Sequence, residues 1–309
     1  MKSIVLNDFG KKNFEIRDIP VPEIKEDEVL IKVDYAGIGQ WDIFERDGGY
    51  HELMDIEPHF PYILGSEGSG KIVKMGEEVK KLKIGDSVYA CSFLNSSGGF
   101  YAEYAAVHQD QVRVLPQNLS MTEGAAIMGV GLTALRGLDT LELGSMDNII
   151  IHGASGGVGH IAVQLSQIIG GFVFAVASGE DGADFCKRLG ADSINGKDND
   201  EIPESFRYNK LLMTAPMNDF ENNVGNMRRP TTVAYPVGDY EVPELDGGEI
   251  EIKPYYGEVD ENIIDRLDGY VRKHGLKCHV DSVFNMQDFE AAHTALENHY
   301  LGKLVFKIS

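Results

Sequence analysis

The chain has 309 residues, of which 43% are hydrophobic and 25% are charged. This length suggests about two domains, each large enough to bury its own core, and the composition excludes a disordered chain. The formal net charge of −21 argues against a nucleic-acid partner, because phosphate groups would be repelled. Apolar runs such as 124–132 are far shorter than the roughly 20 residues that span a bilayer, so we expect no membrane insertion.

The N-terminus and the cysteines suggest a cytoplasmic protein. A strand-like run begins at Ser3, without the long apolar segment and small-residue cleavage site of a secretory signal. Cys91, Cys186 and Cys278 are an odd number, are widely spaced and form no CxxC pair. They therefore predict three separate reduced thiols instead of a disulfide framework or a zinc knuckle.

The first part of the chain, up to about residue 119, predicts a β-rich domain. Short β-type runs at 29–33, 70–73 and 87–90 are separated by Gly, Pro and Asp. Ser120 and Glu123 then have the spacing of a capping box. The apolar residues that follow them suit a helix that links two units.

Strands and helices alternate after this helix. The pattern predicts a strand at 148–152, a helix at 158–169, a strand at 172–177 and a helix at about 183–189. Apolar residues recur at helical spacing in the first of these helices, which gives it one stripe suited to packing on a sheet. The alternation predicts an α/β domain with a parallel, doubly wound sheet.

The segment 198–259 has a weaker pattern, because prolines interrupt it repeatedly. It and the C-terminal region predict, in chain order, strands at 210–213, 231–234 and 249–253, a helix at 261–273, an extended run at 280–284, a helix at 286–298 and a strand at 303–308.

The strongest functional signal is the glycine loop after the strand 148–152. Measured against G-x-G-x-x-G, it has Ala154 in the first place and Gly156 and Gly159 in the others. Such a loop turns tightly, leaves the backbone bare for a pyrophosphate and directs helix N–H groups at the phosphates. Because it follows a strand and opens an amphipathic helix, the pattern predicts dinucleotide binding. The residues assigned to this function are Ala154, Ser155, Gly156, Gly157, Val158 and Gly159.

The end of the second strand bears on which dinucleotide is bound. An acid there would hold the ribose 2′-hydroxyl of NAD, whereas this chain has Ser178. A small hydroxyl residue leaves room for a 2′-phosphate and favours NADP. Glu180 and Asp181 follow at once and would repel that phosphate unless they turn outward, while Lys187 and Arg188 lie one or two helical turns further on. NAD therefore remains possible.

Motifs along nearly the whole chain resemble those of the medium-chain dehydrogenase/reductases. They are GSEGSG at 65–70, GDSV at 85–88, GGFYAEY at 98–104, GVGLTA at 129–134, the glycine loop, and GKLV at 302–305. The resemblance is closest to the zinc-free quinone oxidoreductase (zeta-crystallin-like) branch.

This resemblance implies a fold and an assembly. The family joins a GroES-like β-rich catalytic domain to a Rossmann domain, and its C-terminal segment returns to the first domain. The expected domains are thus 1–120 completed by 275–309, and 121–274 for the dinucleotide. The family also implies a homodimer.

The resemblance also implies that zinc is absent. Zinc enzymes of this superfamily carry two Cys and one His at positions where this chain has Gly39, Ser66 and Val130. The cysteines that bind their structural zinc are missing as well. Because a zinc site needs three or four N, S or O ligands, we expect no metal.

Catalytic roles follow from the same resemblance. The segment 37–50 lines the family's acceptor site, where Asp42 and Arg46 organise the loop and Tyr50 is the candidate donor. Reducing a quinone or an α,β-unsaturated carbonyl places negative charge on oxygen, which a donor can stabilise and protonate. A local ion pair for Asp42 and Arg46, and simple packing for Tyr50, are the alternatives.

Three further residues are assigned to the coenzyme. Thr133 matches a position beside the nicotinamide, and a plain helix hydroxyl is the alternative. Gly39 stands where the family often carries Asn, so one hydrogen bond is expected to be missing. Lys303 is positioned to reach the 2′-phosphate from the last strand, although a solvated lysine is the simpler reading.

The function expected from these features is hydride transfer from NADPH, or NADH, to a quinone or enone without zinc. A catalytically weak nucleotide-binding sensor or structural protein is the first alternative, because of Gly39. A zinc alcohol dehydrogenase is the second, and the missing ligands disfavour it.

Overall fold

The computed structural model describes residues 1–57, 59–196, 202, 206–217, 231–237 and 250–309. The strands are β1 (Lys2–Leu6), β2 (Phe14–Asp18), β3 (Glu28–Ile38), β4 (Glu67–Met75), β5 (Ser87–Cys91), β6 (Tyr104–His108), β7 (Val112–Val114), β8 (Asn148–His152), β9 (Phe172–Ala177), β10 (Asp192–Asn195), β11 (Lys210–Met213), β12 (Thr231–Pro236), β13 (Ile250–Tyr255), β14 (Val280–Asn285) and β15 (Lys303–Lys307). The helices are α1 (Gln40–Arg46), α2 (Gly49–Met54), α3 (Met121–Thr140), α4 (Gly157–Ile169), α5 (Glu180–Arg188), α6 (Glu261–His274) and α7 (Phe289–Ala295).

The chain divides into two compact units, Met1–Gly129 with Val259–Ser309, and Val130–Glu258. Helix α6 thus groups with the first unit, whereas the family resemblance implies a domain boundary after residue 274. Its contacts explain the grouping: the Tyr89 hydroxyl donates to Asp268 at 2.8 Å, and the Asn118 amide donates to the carbonyl of Val271 at 2.8 Å.

The first unit is built on a seven-stranded sheet in the order β14-β15-β3-β4-β5-β7, with β6 also paired to β3. All of its pairings are antiparallel except β14 with β15. The long central strand β3 carries fully buried apolar residues, among them Ile31, Val33 and Ile38. The predicted β-rich domain is therefore confirmed, and the last strand of the chain completes its sheet.

The second unit contains a six-stranded parallel sheet in the order β10-β9-β8-β11-β12-β13. Numbered from β8, this is the order 3-2-1-4-5-6 of the Rossmann fold. Ile149, Ile150 and Ile151 of the central strand are all fully buried, as expected for a parallel sheet covered on both faces. The predicted doubly wound α/β domain is confirmed.

Local boundaries differ in several places, by up to three residues at the start of α5 and at the ends of the last helix. The helix predicted at 286–298 is a 3₁₀ turn, Met286–Asp288, followed by the shorter α7. Residue 249 of the predicted strand 249–253 lies outside the described residues, and β13 extends to Tyr255. Within the described part of the chain, no helix is both long enough and apolar enough to cross a bilayer.

Candidate functional site

The glycine loop lies at the carboxyl end of β8, where the strand order of the sheet reverses between β9 and β11. In open α/β sheets, ligands bind at this switch point. Gly153 has a φ of +77°, a conformation that favours glycine. The N–H groups of Gly153 and Ala154 both donate to the carbonyl of Val176 at 3.0 Å. The loop is therefore fixed to β9 by two hydrogen bonds.

The two remaining glycines of the loop have different roles. A Cβ at Gly159 would lie 2.2 Å from the carbonyl oxygen of Gly153, so this glycine permits close packing of α4 on the turn. A Cβ at Gly156, the N-cap of α4, would have only the Gly153 oxygen nearby, at 3.4 Å. Gly156, Gly157 and Val158 are partly exposed. Together with the unshared N–H groups of a helix start, this open edge fits a pyrophosphate.

Thr214 is a functional residue that the sequence motifs missed. Its hydroxyl, one residue past β11, donates to the carbonyl of His152 at 2.7 Å and lies 3.1 Å from that of Gly153. A Cβ at Gly153 would come within 2.7 Å of this hydroxyl oxygen. Thr214 therefore supports the glycine loop from the β11 side. Its position directly after the strand predicted at 210–213 was the available signal.

The carboxyl end of β9 leads to Ser178 and then to Gly179, the N-cap of α5, with a φ of +78°. A Cβ at Gly182 would lie 3.0 Å from the Ser155 hydroxyl, so the start of α5 adjoins the glycine loop. Glu180 and Asp181, in the first turn of α5, are both exposed. The described charges nearest to Ser178 in the chain are thus carboxylates.

The cations expected to favour a 2′-phosphate are engaged elsewhere. Lys187 forms an ion pair with Asp184 at 3.2 Å, and the Arg188 guanidinium lies over the Phe185 ring at 5.8 Å. Lys303 is buried in the first unit and lies 2.9 Å from Glu67. The proposed contact of Lys303 with a phosphate is therefore not supported, because its ammonium group is enclosed with a carboxylate.

Thr133 lies in α3 and is half-buried. A Cβ at Gly257 would come within 2.9 Å of the Thr133 hydroxyl, so the glycine leaves this hydroxyl room. Its role beside a nicotinamide remains a prediction.

Asp42 and Arg46 are both buried in α1 but are not paired with each other. The Asp42 carboxylate accepts a hydrogen bond from the N–H of Gly39 at 2.7 Å and so caps the start of α1. The Arg46 guanidinium holds Asp47 through two contacts, of 2.8 and 2.6 Å. The two residues thus make separate local contacts, and their role in organising the acceptor site remains a prediction.

Burial perturbs the acids of α1. It raises the pKa of Asp42 to about 7, although the Lys303 charge acts in the opposite direction. It raises the pKa of Glu45 to about 8, against a hydrogen bond from the Tyr62 hydroxyl. Two carboxyl groups three residues apart on one short helix therefore retain protons near neutral pH.

Tyr50 lies in α2 within a row of aromatic rings. Its ring centroid is 4.7 Å from that of Phe44 and 5.0 Å from that of Phe93, with both pairs edge to face. All three residues are half-buried. The ring contacts therefore hold the phenol in one orientation, and its role as the donor remains a prediction.

The residues present do not fit a zinc ion. Among the residues that the structure describes, no group of three or more His, Cys, Asp or Glu side chains is arranged to hold a metal. Gly39 and Ser66 supply no zinc-type ligand. The carboxylate that follows, Glu67, is paired with Lys303. Hence no step of the chemistry is assigned to a metal.

A separate cavity of about 750 Å³ lies in the second unit at the amino ends of the strands. Its lining includes Asn148, Phe172 and Asp192, which begin β8, β9 and β10. The glycine loop is at the opposite ends of these strands. The cavity therefore does not coincide with the candidate coenzyme site.

Comparison with known proteins agrees with these features. The sequence profile of the alcohol dehydrogenase GroES-like domain matches residues 25–117. The NAD-dependent alcohol dehydrogenase of Sulfolobus acidocaldarius is 30% identical over 227 residues, which cover 65% of this chain and 65% of that protein. The chloroplastic quinone-oxidoreductase homolog of Spinacia oleracea is 34% identical over 221 residues, which cover 67% of this chain and 66% of that protein.

The solved structure of the quinone oxidoreductase from Coxiella burnetii has a TM-score of 0.85 with this chain at 25% identity, covering 100% of this chain and 99% of that one. The chain belongs to the medium-chain dehydrogenase/reductase superfamily, which confirms the resemblance at the level of the superfamily. The sequence match spans about two thirds of the length of the two relatives, at 65% and 66%. Those two relatives are named for different substrates, an alcohol and a quinone. The similarity therefore does not distinguish between the two reactions.

Proposed function

We propose that the chain is an NAD(P)H-dependent, zinc-independent oxidoreductase that reduces a quinone or an α,β-unsaturated carbonyl compound. The observation that carries the proposal is the glycine loop at the switch point of a Rossmann sheet, held by Val176 and Thr214 and open at Gly156. Zinc independence is supported by Gly39 and Ser66, which are not zinc-type ligands, and by the lack of a metal-binding group among the described residues. The similarity to a quinone-oxidoreductase homolog supports the acceptor class.

The coenzyme, when bound, supplies the hydride. The chain contributes the main-chain N–H groups at the start of α4 for the pyrophosphate and the hydroxyl of Ser178 toward the ribose. Asp42 and Arg46 keep the segment 37–50 in place. Tyr50 is the proposed donor that stabilises and protonates the acceptor oxygen.

The choice between the two coenzymes depends on the start of α5. Ser178 favours NADPH by its size. Glu180 and Asp181 disfavour a 2′-phosphate by their charge, whereas Lys187 and Arg188, further along α5, contact Asp184 and Phe185. We expect NADH to bind at least as tightly as NADPH, in contrast to the preference inferred from Ser178 alone.

Steady-state oxidation of NADH and NADPH by a panel of quinones and enones, with a metal chelator present throughout, tests the proposal. We expect turnover that the chelator leaves unchanged. Turnover abolished by the chelator would instead support a zinc alcohol dehydrogenase. Tight coenzyme binding without hydride transfer to any acceptor would support the nucleotide-binding sensor or structural protein.

Two further parts of the proposal concern the cell and the assembly. The free thiols of Cys91, Cys186 and Cys278 fit a reducing compartment such as the cytoplasm, and the superfamily suggests a homodimer. Fractionation and sedimentation equilibrium test these two expectations directly.

A further inference from the structure

The glycine at position 39 is not required by the backbone. Gly39 has φ −138° and ψ 166°, an extended conformation that any residue adopts. A Cβ there would nevertheless lie 2.6, 2.7 and 2.8 Å from three ring atoms of Trp41. Such separations are well inside van der Waals contact. Position 39 therefore lacks a side chain because the Trp41 indole fills its space.

The same indole crowds a second glycine. A Cβ at Gly129, in α3, would lie 3.1 and 3.2 Å from Cζ2 and Cη2 of Trp41 and 3.4 Å from Cδ of Glu67. The N–H of Gly129 donates to Oε2 of Glu67 at 2.8 Å. The indole and this carboxylate together thus occupy the volume between Gly39 and Gly129.

Lys303 fixes the indole in this position. Its ammonium nitrogen lies 4.1 Å from the centroid of the Trp41 ring, which is cation–π geometry. It also lies 2.9 Å from Oε1 of Glu67, and the two charged side chains are only 3% and 0% exposed. Among the described residues, the buried Nε1 of Trp41 has no hydrogen-bond acceptor. Packing and the Lys303 cation therefore determine where the ring lies.

We propose that Trp41, held by Lys303 and Glu67, fills the space that a metal ligand at position 39 would need. Trp41 is then a specificity-determining residue. Its volume excludes a metal, and with it a metal-bound alcohol, in addition to the lack of metal ligands at positions 39 and 66. This inference rests on the proposed zinc-independent function and deepens it. It implies that restoring zinc-type ligands alone will not restore a zinc site.

The first test measures steric coupling between positions 39 and 41. Thermal unfolding is followed for Gly39→Ala, Trp41→Ala and the double variant. We expect Gly39→Ala to lower the unfolding midpoint in the parent chain and to have no further effect in the Trp41→Ala background. An equal effect in both backgrounds would overturn the inference.

The second test measures metal binding directly. Gly39→Cys, Ser66→His and Gly129→Cys are combined, once with Trp41 retained and once with Trp41→Ser, and each protein is titrated with Co²⁺. Gly129 is used because its Cβ position, like that of Gly39, faces the Trp41 indole. We expect the absorption bands of thiolate-bound Co²⁺ only when Trp41 is replaced. Equal binding with Trp41 retained, or no binding in either folded protein, contradicts the inference. If the triple variant fails to fold, the coupling measurement decides.

The third test uses the fluorescence of Trp41, which is the only tryptophan in the chain. Removing the cation with Lys303→Met is expected to change the emission and to increase quenching by acrylamide. Lys307→Met, on the same strand but exposed, is the matched control and should change neither. Unchanged emission in Lys303→Met would show that the ammonium does not hold the ring. Quinone turnover by the parent chain is measured separately, so failure of the proposed reaction is distinguishable from failure of this inference.

Discussion

Lys303 and Glu67 form an ion pair of 2.9 Å inside the first unit, where almost no part of either side chain reaches solvent. Removing one partner of such a pair leaves an uncompensated buried charge. We expect Lys303→Met to lower the free energy of unfolding by about 3–5 kcal/mol, and the double variant with Glu67→Gln to lose less than the sum of the two single changes. Urea denaturation of the four proteins measures both quantities.

An exposed ion pair provides the control for this prediction. Lys81 and Glu261 are 2.8 Å apart, with side chains 78% and 42% exposed. Lys81→Met should lower the free energy of unfolding far less than Lys303→Met, because solvent screens the pair. A similar loss in Lys81→Met and Lys303→Met would contradict the importance of burial.

The acids of α1 predict a pH dependence of stability. Burial raises the pKa of Asp42 to about 7 and that of Glu45 to about 8 in the folded state. Between about pH 4 and pH 8 the unfolded chain releases these protons before the folded chain does, so the contribution of both groups to stability falls as the pH rises. The free energy of unfolding of Asp42→Asn and Glu45→Gln should therefore decline less over this interval than that of the parent. Parallel pH profiles for parent and variants would refute the assignment.

Gly156→Ala separates coenzyme binding from folding. The backbone of Gly156 has φ −79°, which alanine adopts readily, and its Cβ would have no contact closer than 3.4 Å. The added methyl would nevertheless stand at the open edge of the loop, where a pyrophosphate must approach the backbone. We expect normal folding and coenzyme affinity reduced at least about tenfold, equivalent to about 1.4 kcal/mol, by calorimetric titration.

Gly269→Ala is the matched control for that substitution. Gly269 lies in α6 with no atom within 4 Å of its Cβ position. Alanine there should raise stability by about 0.5–1 kcal/mol, since glycine is unfavourable within a helix, and should leave coenzyme affinity unchanged. Unaltered affinity in Gly156→Ala would remove this edge of the loop from the binding site.

Tyr50→Phe tests the proposed donor. The ring contacts with Phe44 and Phe93 are retained by phenylalanine, so the fold and the coenzyme affinity should not change. Loss of the hydroxyl should lower kcat by about 100-fold or more, the usual range for general acid catalysis. Phe93→Leu serves as a packing control. A kcat within a factor of about two of the parent would assign proton donation to another group or to water.

Glu180→Gln combined with Asp181→Asn tests the coenzyme preference. Removing two exposed negative charges beside Ser178 should strengthen NADPH binding and leave NADH binding nearly unchanged, and the gain should shrink at high salt. Glu142→Gln combined with Asp139→Asn, which removes the same two charges away from α5, is the control. Equal gains for both coenzymes would show that the carboxylates do not face the 2′ position.

Much of the fold was accessible from sequence because its signals are local. The strands 148–152, 172–177 and 210–213 coincide with β8, β9 and β11, since each is a short apolar run between turn residues. The glycine loop was equally clear, because its requirements are satisfied within eight residues. The grouping of α6 with the first unit could not be predicted from sequence, because it depends on contacts with Tyr89 and Asn118, which lie far away in the chain.

The site in the first unit is also hard to predict from sequence, because it depends on contacts between residues that are far apart in the chain. The Trp41–Lys303 and Glu67–Lys303 contacts join residues more than 200 positions apart, and no short motif records them. The sequence alone therefore favours solvent or a phosphate as the partner of Lys303, although the structure encloses its ammonium group beside Glu67. The sequence shows that zinc ligands are missing at positions 39 and 66. It does not show that the Trp41 indole occupies the space of a side chain at position 39.

The turn after β8 is anchored from both sides. Val176 on β9 accepts from Gly153 and Ala154, and Thr214 after β11 donates to His152. A loop already held in its binding conformation loses little conformational entropy when a ligand arrives. Association with the dinucleotide should accordingly show few of the slow phases that accompany loop ordering.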